Sequence, residues 1–484
     1  MRSCSEDRGA IVQRKTIGKS SGYQGPVNEY TRNKGSVGRR KVVFVGASYK
    51  FVHRVLRDMI LVGGFNDVEI CVHDIDDIPL KIVADLLERI ARQQNTRVRV
   101  TRSLDRRVAL KGADVVVLSI TTGGRESDFR SFEVCSRYGI PVGIGDTLGP
   151  AALARNLRTI PVALKIVRDM ERLCPRALML NFTNPMSALT GAMARYTDIP
   201  VWGLCHSGDG LHRYFAEIFK VTKKQVEMHL AGVNHQSFVT RLLVKGRDRT
   251  ADIVETSRTS TVKAVKDALL GTEEDVRLQR DMAEMLGVWP TCGGDHLAEF
   301  YRFFFTPRRA EALGLGKHLK RIIPGREPFQ RTPCPPIIHD WAYGPEPVGD
   351  LHLLTEEHAH EAMWAFLTTE PCTRSLNVLN RDGFVQGLPK TACVEVMATV
   401  CGRRVKAKPV LLPTAAHALV SQWVAIHDLS VQAAIKCDRD AARQALFLDP
   451  HVGDFYDIGP LLEDMLNALT PWLPRKWFNT RHPS

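Results

Sequence analysis

Two short stretches carry residue types that can do chemistry together. Val201–Leu204 is an apolar run ending at Cys205 and His206, with Asp209 close behind. Further on, Gly232, Val233, Asn234 and His235 precede an alternating segment, Phe238–Val244. A thiolate and an imidazole from separate elements suit a borderline divalent transition metal better than calcium or magnesium. Upstream, the apolar run Ala177–Leu180 leads into Asn181, Asn184 and Pro185, where Asn tolerates unusual dihedrals and Pro cannot pair in a central strand. Each part has a plainer reading. A Cys after an apolar strand is commonly a small buried hydrophobe, an Asn-Pro pair a turn, and a lone His a satisfied buried imidazole. The combination is what points to a site.

The elements that must position these residues follow from the same runs. Four apolar residues are too few for a helix and suit a buried strand, and Met186–Tyr196 reads as a helix between two such strands. In open α/β sheets ligands sit at the carboxyl ends of the strands. Near the start, Lys41–Val45 is a β-branched run that meets Gly46, Ala47 and Ser48 before a helical pattern of Phe51, Val55, Leu56, Met59 and Ile60. Strand, Gly turn and helix open a dinucleotide-binding unit, with the pyrophosphate on the helix amino terminus. The next strand, Val68–Val72, ends at Asp74, with Asp76 close by, either of which can hold a ribose. Asp114–Ile120 ends at Thr121, Thr122, Gly123 and Gly124, small residues over which a nicotinamide can lie, or simply a Gly turn.

Composition bounds the answer. At 484 residues with 44% hydrophobic and 25% charged residues, two soluble domains are expected. No apolar stretch is long enough for a membrane span, and the amino terminus lacks a secretory h-region, so a cytoplasmic protein without membrane partners is expected. Eleven cysteines without regular spacing argue for reduced thiols. Much of the net charge of +13 sits before Val42, where ten basic residues face Glu6, Asp7 and Glu29. That tail lacks periodicity and reads as disordered, with no specific nucleic-acid partner.

NFTNP at 181–185, GLCHS at 203–207, GVNH at 232–235 and GDTLGP at 145–150 together resemble glycoside hydrolase family 4, the NAD- and manganese-dependent glycosidases. This family departs from the two-carboxylate rule of glycoside hydrolysis. The resemblance implies an α/β fold class, a Rossmann-like dinucleotide-binding domain over 41–209 followed by an α+β catalytic domain over 210–474, with a lactate/malate dehydrogenase-like architecture. Residues 1–40 and 475–484 are then tails. It implies Cys205 and His235 as metal ligands, Asp146 as general acid and Asp295 as the base that takes the C2 proton. Gly46, Ala47, Ser48, Asp74, Thr121 and Asn181 would bind NAD; Asn184, His206, Asn234 and Arg158 would bind a small-molecule glycoside. A homodimer or homotetramer is expected.

His206-Ser207 resembles the branch acting on unphosphorylated sugars, with an α-galactoside first and α-glucuronides or α-galacturonides as alternatives. Four departures stand out: Ala47 where members carry a second Gly, Asp295 directly adjacent to His296, Arg302 where Pro is usual, and Gly387 where Asn is usual. A 2-hydroxy acid dehydrogenase would share the fold but lack a Cys–His metal pair. A non-catalytic relative would fail to bind NAD.

Overall fold

A computed structural model describes residues 35–205, 207–259, 273–301, 333–355 and 357–479, with the backbone alone given at 207, 209, 273–275 and 295. The first six strands are β1 Lys41–Val45, β2 Glu69–His73, β3 Arg99–Ser103, β4 Val115–Leu118, β5 Leu178–Asn181 and β6 Val201–Gly203. They run parallel in the order β3-β2-β1-β4-β5-β6, the order of a dinucleotide-binding sheet. The reason is in the residues: β4 and β5 are buried along their whole length, as parallel strands covered on both faces must be. At the switch point between β1 and β4 the chain needs Gly46. Its φ is 107°, and a Cβ there would stand 2.0 Å from the Ser119 carbonyl oxygen.

The second half continues the same sheet in the antiparallel sense. It comprises β7 Val226–Val233, β8 Gln236–Val244, β9 Arg247–Asp248, β10 Trp289–Pro290, β11 Cys372–Leu379, β12 Cys393–Cys401 and β13 Arg404–Ala407. β11 joins β6 with Asn377 opposite Gly203, and the order runs on as β12-β7-β8-β10. The boundary expected near Gly210 falls in the helix Ser207–Ile218, between the last parallel strand and the first antiparallel one.

Helix boundaries have identifiable local causes. The helix Asp77–Gln93 begins at Asp77 because the Asp76 carboxylate accepts from Ile78 N–H and Pro79 is tolerated in a first turn. The stretch 414–448 holds two helices, Thr414–Lys436 and Arg439–Leu448. Cys437 turns left-handed at φ 54°, and Asp438 caps the new helix through Asp440 and Ala441 N–H. The stretch from 475 is no loose tail at its start. Trp477 is fully buried, and its carbonyl accepts from Arg439 Nη2 at 3.0 Å. Residues 1–34 of the basic tail lie outside the described residues, as do 260–272, Arg302 and most of the stretch 307–336. No helix among the described residues is long and apolar enough to cross a membrane.

Candidate active site

The carboxyl ends of β5 and β6 and the tip of one antiparallel hairpin meet. Cys205 follows β6 and stands two residues before the helix Ser207–Ile218, whose amino terminus favours a thiolate. β7 and β8 pair Val233 with Gln236, so Asn234 and His235 form the two-residue turn between them. His235 takes φ 64°, a left-handed conformation that His enters more readily than most side chains. Gly232 lets the strands close below it, since a Cβ there would lie 2.3 Å from Gln236 O. The result places His235 Nε2 3.4 Å from Cys205 Sγ.

The other ring nitrogen sets the tautomer. His235 Nδ1 lies 3.2 Å from Thr147 Oγ1, and that hydroxyl donates to Asp146 Oδ1 at 2.7 Å. A hydroxyl has one proton. With it committed to the carboxylate, His235 Nδ1–H donates to Thr147, and Nε2 presents its lone pair toward Cys205. An outer hydrogen bond of this kind orients a metal-ligating imidazole. Asp146 Oδ2 accepts from Asn184 Nδ2 at 2.9 Å, so its two oxygens meet two donors from separate loops. Burial pushes the Asp146 carboxyl up, but Arg155, His235, His296 and the Asn184 bond hold it below its ordinary range. The His296 ring packs on His235 with centroids 4.1 Å apart. Ligating atoms of Asp146, His235 and His296 all lie within 4.8 Å of one another.

Two buried carboxylates brace this cluster. Glu299 Oε1 accepts from Gly145 N–H at 2.9 Å and also from Ile144 N–H, pinning the loop that carries Asp146 and Thr147. Burial pushes the Glu299 carboxyl up to about 7, and the charge of Asp146 adds to this against the two backbone donors. Glu395, on β12, accepts from Ser237 Oγ at 2.7 Å and from Ser375 and Asn377 at 3.4 Å each. It thereby ties β8 and β11 together beneath the His235 turn.

The remaining expected site residues divide. Gly46, Ala47 and Ser48 sit at the switch point, where Asp74 Oδ2 accepts from Ala47 N–H at 2.7 Å and Asp74 Oδ1 from Asp76 N–H at 3.0 Å. Asp74 thus shapes the Gly turn. Thr121 is exposed at the end of β4. Asn181, expected to bind the cofactor, is fully buried; its amide donates to Thr183 O and Thr190 Oγ1, and its oxygen accepts from Thr183 N–H. It builds the turn that presents Asn184. Arg158, expected to bind substrate, is held by protein groups and keeps Nη1 without a partner. It is buried, with Nε on Thr122 O at 3.0 Å and Nη2 on Asp128.

Asn234 is buried, and its backbone N–H donates to Ser187 Oγ at 3.1 Å. His206 and the Asp295 side chain lie outside the described residues. The backbone of Asp295 lies inside the helix Gly294–Glu299, whose N-cap is Gly293, so Asp295 is not the cap. Thr147 and Glu395 went unnoticed in the sequence. Thr147 stands in the GDTLGP motif, but nothing local marks a Thr as a bridge to a His on a distant hairpin.

Residues 41–221 match the family model of the family 4 glycosyl hydrolases and residues 230–452 that of the family's C-terminal domain. The chain is a family 4 glycosyl hydrolase. This glycosidase is 31% identical to the alpha-galactosidase of Bacillus subtilis (strain 168) over 447 residues, spanning 90% of this chain and 99% of that one. It is 26% identical to the alpha-galactosidase of Rhizobium meliloti (strain 1021), over 90% of this chain and 89% of that one. Its fold is similar, at TM-score 0.72 and 17% identity, to a 6-phospho-alpha-glucosidase from gut microorganisms in complex with NAD and Mn2+, over 90% of this chain and 99% of that one. The family sets aside the dehydrogenase reading.

Proposed function

We propose that this family 4 glycosidase hydrolyses an unphosphorylated α-galactoside with NAD and a divalent manganese ion. The observation that carries the reading is the Cys205–His235 pair, with the imidazole lone pair turned to the thiol by Thr147 and Asp146. A soft sulfur and an imidazole nitrogen at this spacing form a donor set for a transition metal. For the dinucleotide, the support is the strand order with Gly46 at the switch point. The relatives of 31% and 26% identity support the α-galactoside.

When bound, the dinucleotide would supply a reversible hydride acceptor and the ion a Lewis acid, and together they would acidify the C2 proton. The chain's residues do the rest. Cys205 and His235 would hold the ion, and Thr147 would keep His235 in the ligating tautomer. Asp295, next in sequence to His296, takes the C2 proton. Asp146 delivers a proton to the departing glycosidic oxygen. As described, its oxygens accept from Asn184 and Thr147, so substrate must displace one of these donors before Asp146 can carry that proton.

The test is hydrolysis of nitrophenyl α-galactoside in deuterated water with manganese, NAD and a thiol reductant. Deuterium is expected at C2 of the released galactose. Undiminished turnover after removal of both NAD and metal would sink the reading.

A further inference from the structure

A second cluster of ligating side chains, built from other residues, lies where the helix Ala359–Thr368 begins beside the helix Val52–Val62. Ligating atoms of His358, His360 and Glu361 all fall within 4.8 Å of one another. Glu361 Oε1 lies 3.5 Å from His358 Nδ1 and 3.8 Å from His360 Nε2. Its other oxygen is taken: Oε2 accepts from Arg374 Nη1 and lies 3.8 Å from Cys372 Sγ. One carboxylate oxygen therefore faces two imidazoles while the other is neutralised from behind.

The backbone builds this arrangement. In a regular helix residues i and i+2 point apart. His358 instead adopts φ 48° just before the helix, and the two imidazole centroids come to 6.1 Å. Behind His360 stands Asp58, its Oδ2 4.0 Å from His360 Nδ1. Asp58 is itself held by Thr355, whose N–H donates to Oδ1 at 2.9 Å and whose hydroxyl donates to Oδ2. Asp58 and His360 are 1% and 4% exposed.

We propose that His358, His360 and Glu361 form a zinc site, with Asp58 behind His360 as its outer partner. Two imidazoles and a carboxylate are a zinc donor set, whereas calcium and magnesium want oxygen alone. Zinc bonds of about 2.0–2.1 Å in a tetrahedron separate the ligands by about 3.3 Å. The Glu361–imidazole distances of 3.5 and 3.8 Å are within a few tenths of that. A carboxylate behind a ligating imidazole is the usual outer partner of such a site.

The test is zinc titration of the full chain after chelator dialysis, read by metal analysis and thermal unfolding. The double variant H358A/H360A is expected to bind one equivalent fewer than the wild type and to lose the zinc-dependent rise in unfolding temperature. Cys205→Ala retains that equivalent, which separates this site from the active-site pair. Asp58→Asn keeps the equivalent but binds it about 10- to 100-fold more weakly. Should circular dichroism show the double variant unfolded, the near-isosteric Glu361→Gln carries the same expectation. Equal zinc stoichiometry in the wild type, H358A/H360A and Glu361→Gln overturns the proposal, and leaves the cluster as an ion-paired cap.

Discussion

The two halves of the sheet place chemistry by different means. In the parallel half, the candidate site residues lie at strand ends: Gly46 after β1, Thr121 after β4, Asn184 after β5, Cys205 after β6. Those strands are buried apolar runs, and the crevice at their carboxyl ends is set by topology. In the antiparallel half the key residue is at a hairpin tip, where His235 takes a left-handed backbone and a carboxyl group, Glu395, is buried beneath it. A strand end comes with the fold. A hairpin tip has to be aimed by polar contacts that the fold alone does not provide.

Breaking the joint between the halves is expected to have the largest effect. Cys205→Ala or His235→Ala should lose bound manganese and lower kcat/KM on an α-galactoside by about 10³-fold or more, the several kcal/mol a Lewis acid supplies. Metal analysis and kinetics check this. Metal kept at full stoichiometry would contradict the ligand assignment.

Next comes a test of the parallel half alone. Gly46→Ala puts a Cβ against the Ser119 carbonyl and should cost on the order of 1–3 kcal/mol in unfolding free energy, measured in the absence of ligands. The corresponding test of aiming is Thr147→Val, which removes the hydroxyl between Asp146 and His235. Manganese affinity should fall about 10- to 100-fold with little change in unfolding temperature, and Thr147→Ser should restore it.

The smallest effect compares two buried imidazoles, one from each half. His53 is lowered to about 3 by burial and then by Arg54 and Arg57; His427 is lowered to about 4 by burial and then by Arg195. Both bind protons more readily when unfolded. Their stabilising contributions are therefore complete above about pH 6.5 and are lost as pH falls, through about 4 for His427 and about 3 for His53. Urea unfolding from pH 7 to 4 should show a shallower decline in His53→Gln and in His427→Gln than in the wild type. An unchanged slope in both would rule out this account of the acid lability.

Much of this was legible along the chain because strand runs, Gly turns and motif residues act locally. Lys41–Val45, Gly46 and the helix Met186–Tyr196 announce themselves through burial pattern and backbone demand, and Cys205 through its place after an apolar run. The hydrogen-bond partners of Asn181 and Arg158 were not legible. Whether a polar side chain faces a crevice or closes on its own turn depends on which neighbours saturate it, and those lie up to 36 positions away. Thr147 meets His235 across 88 residues, and Glu395 meets Ser237 across 158. Residue order decided that a thiol would stand at the end of β6. Only the closing of the sheet on the Asn234–His235 hairpin decided which nitrogen faces it, because a tautomer is set by a hydrogen bond from another part of the chain.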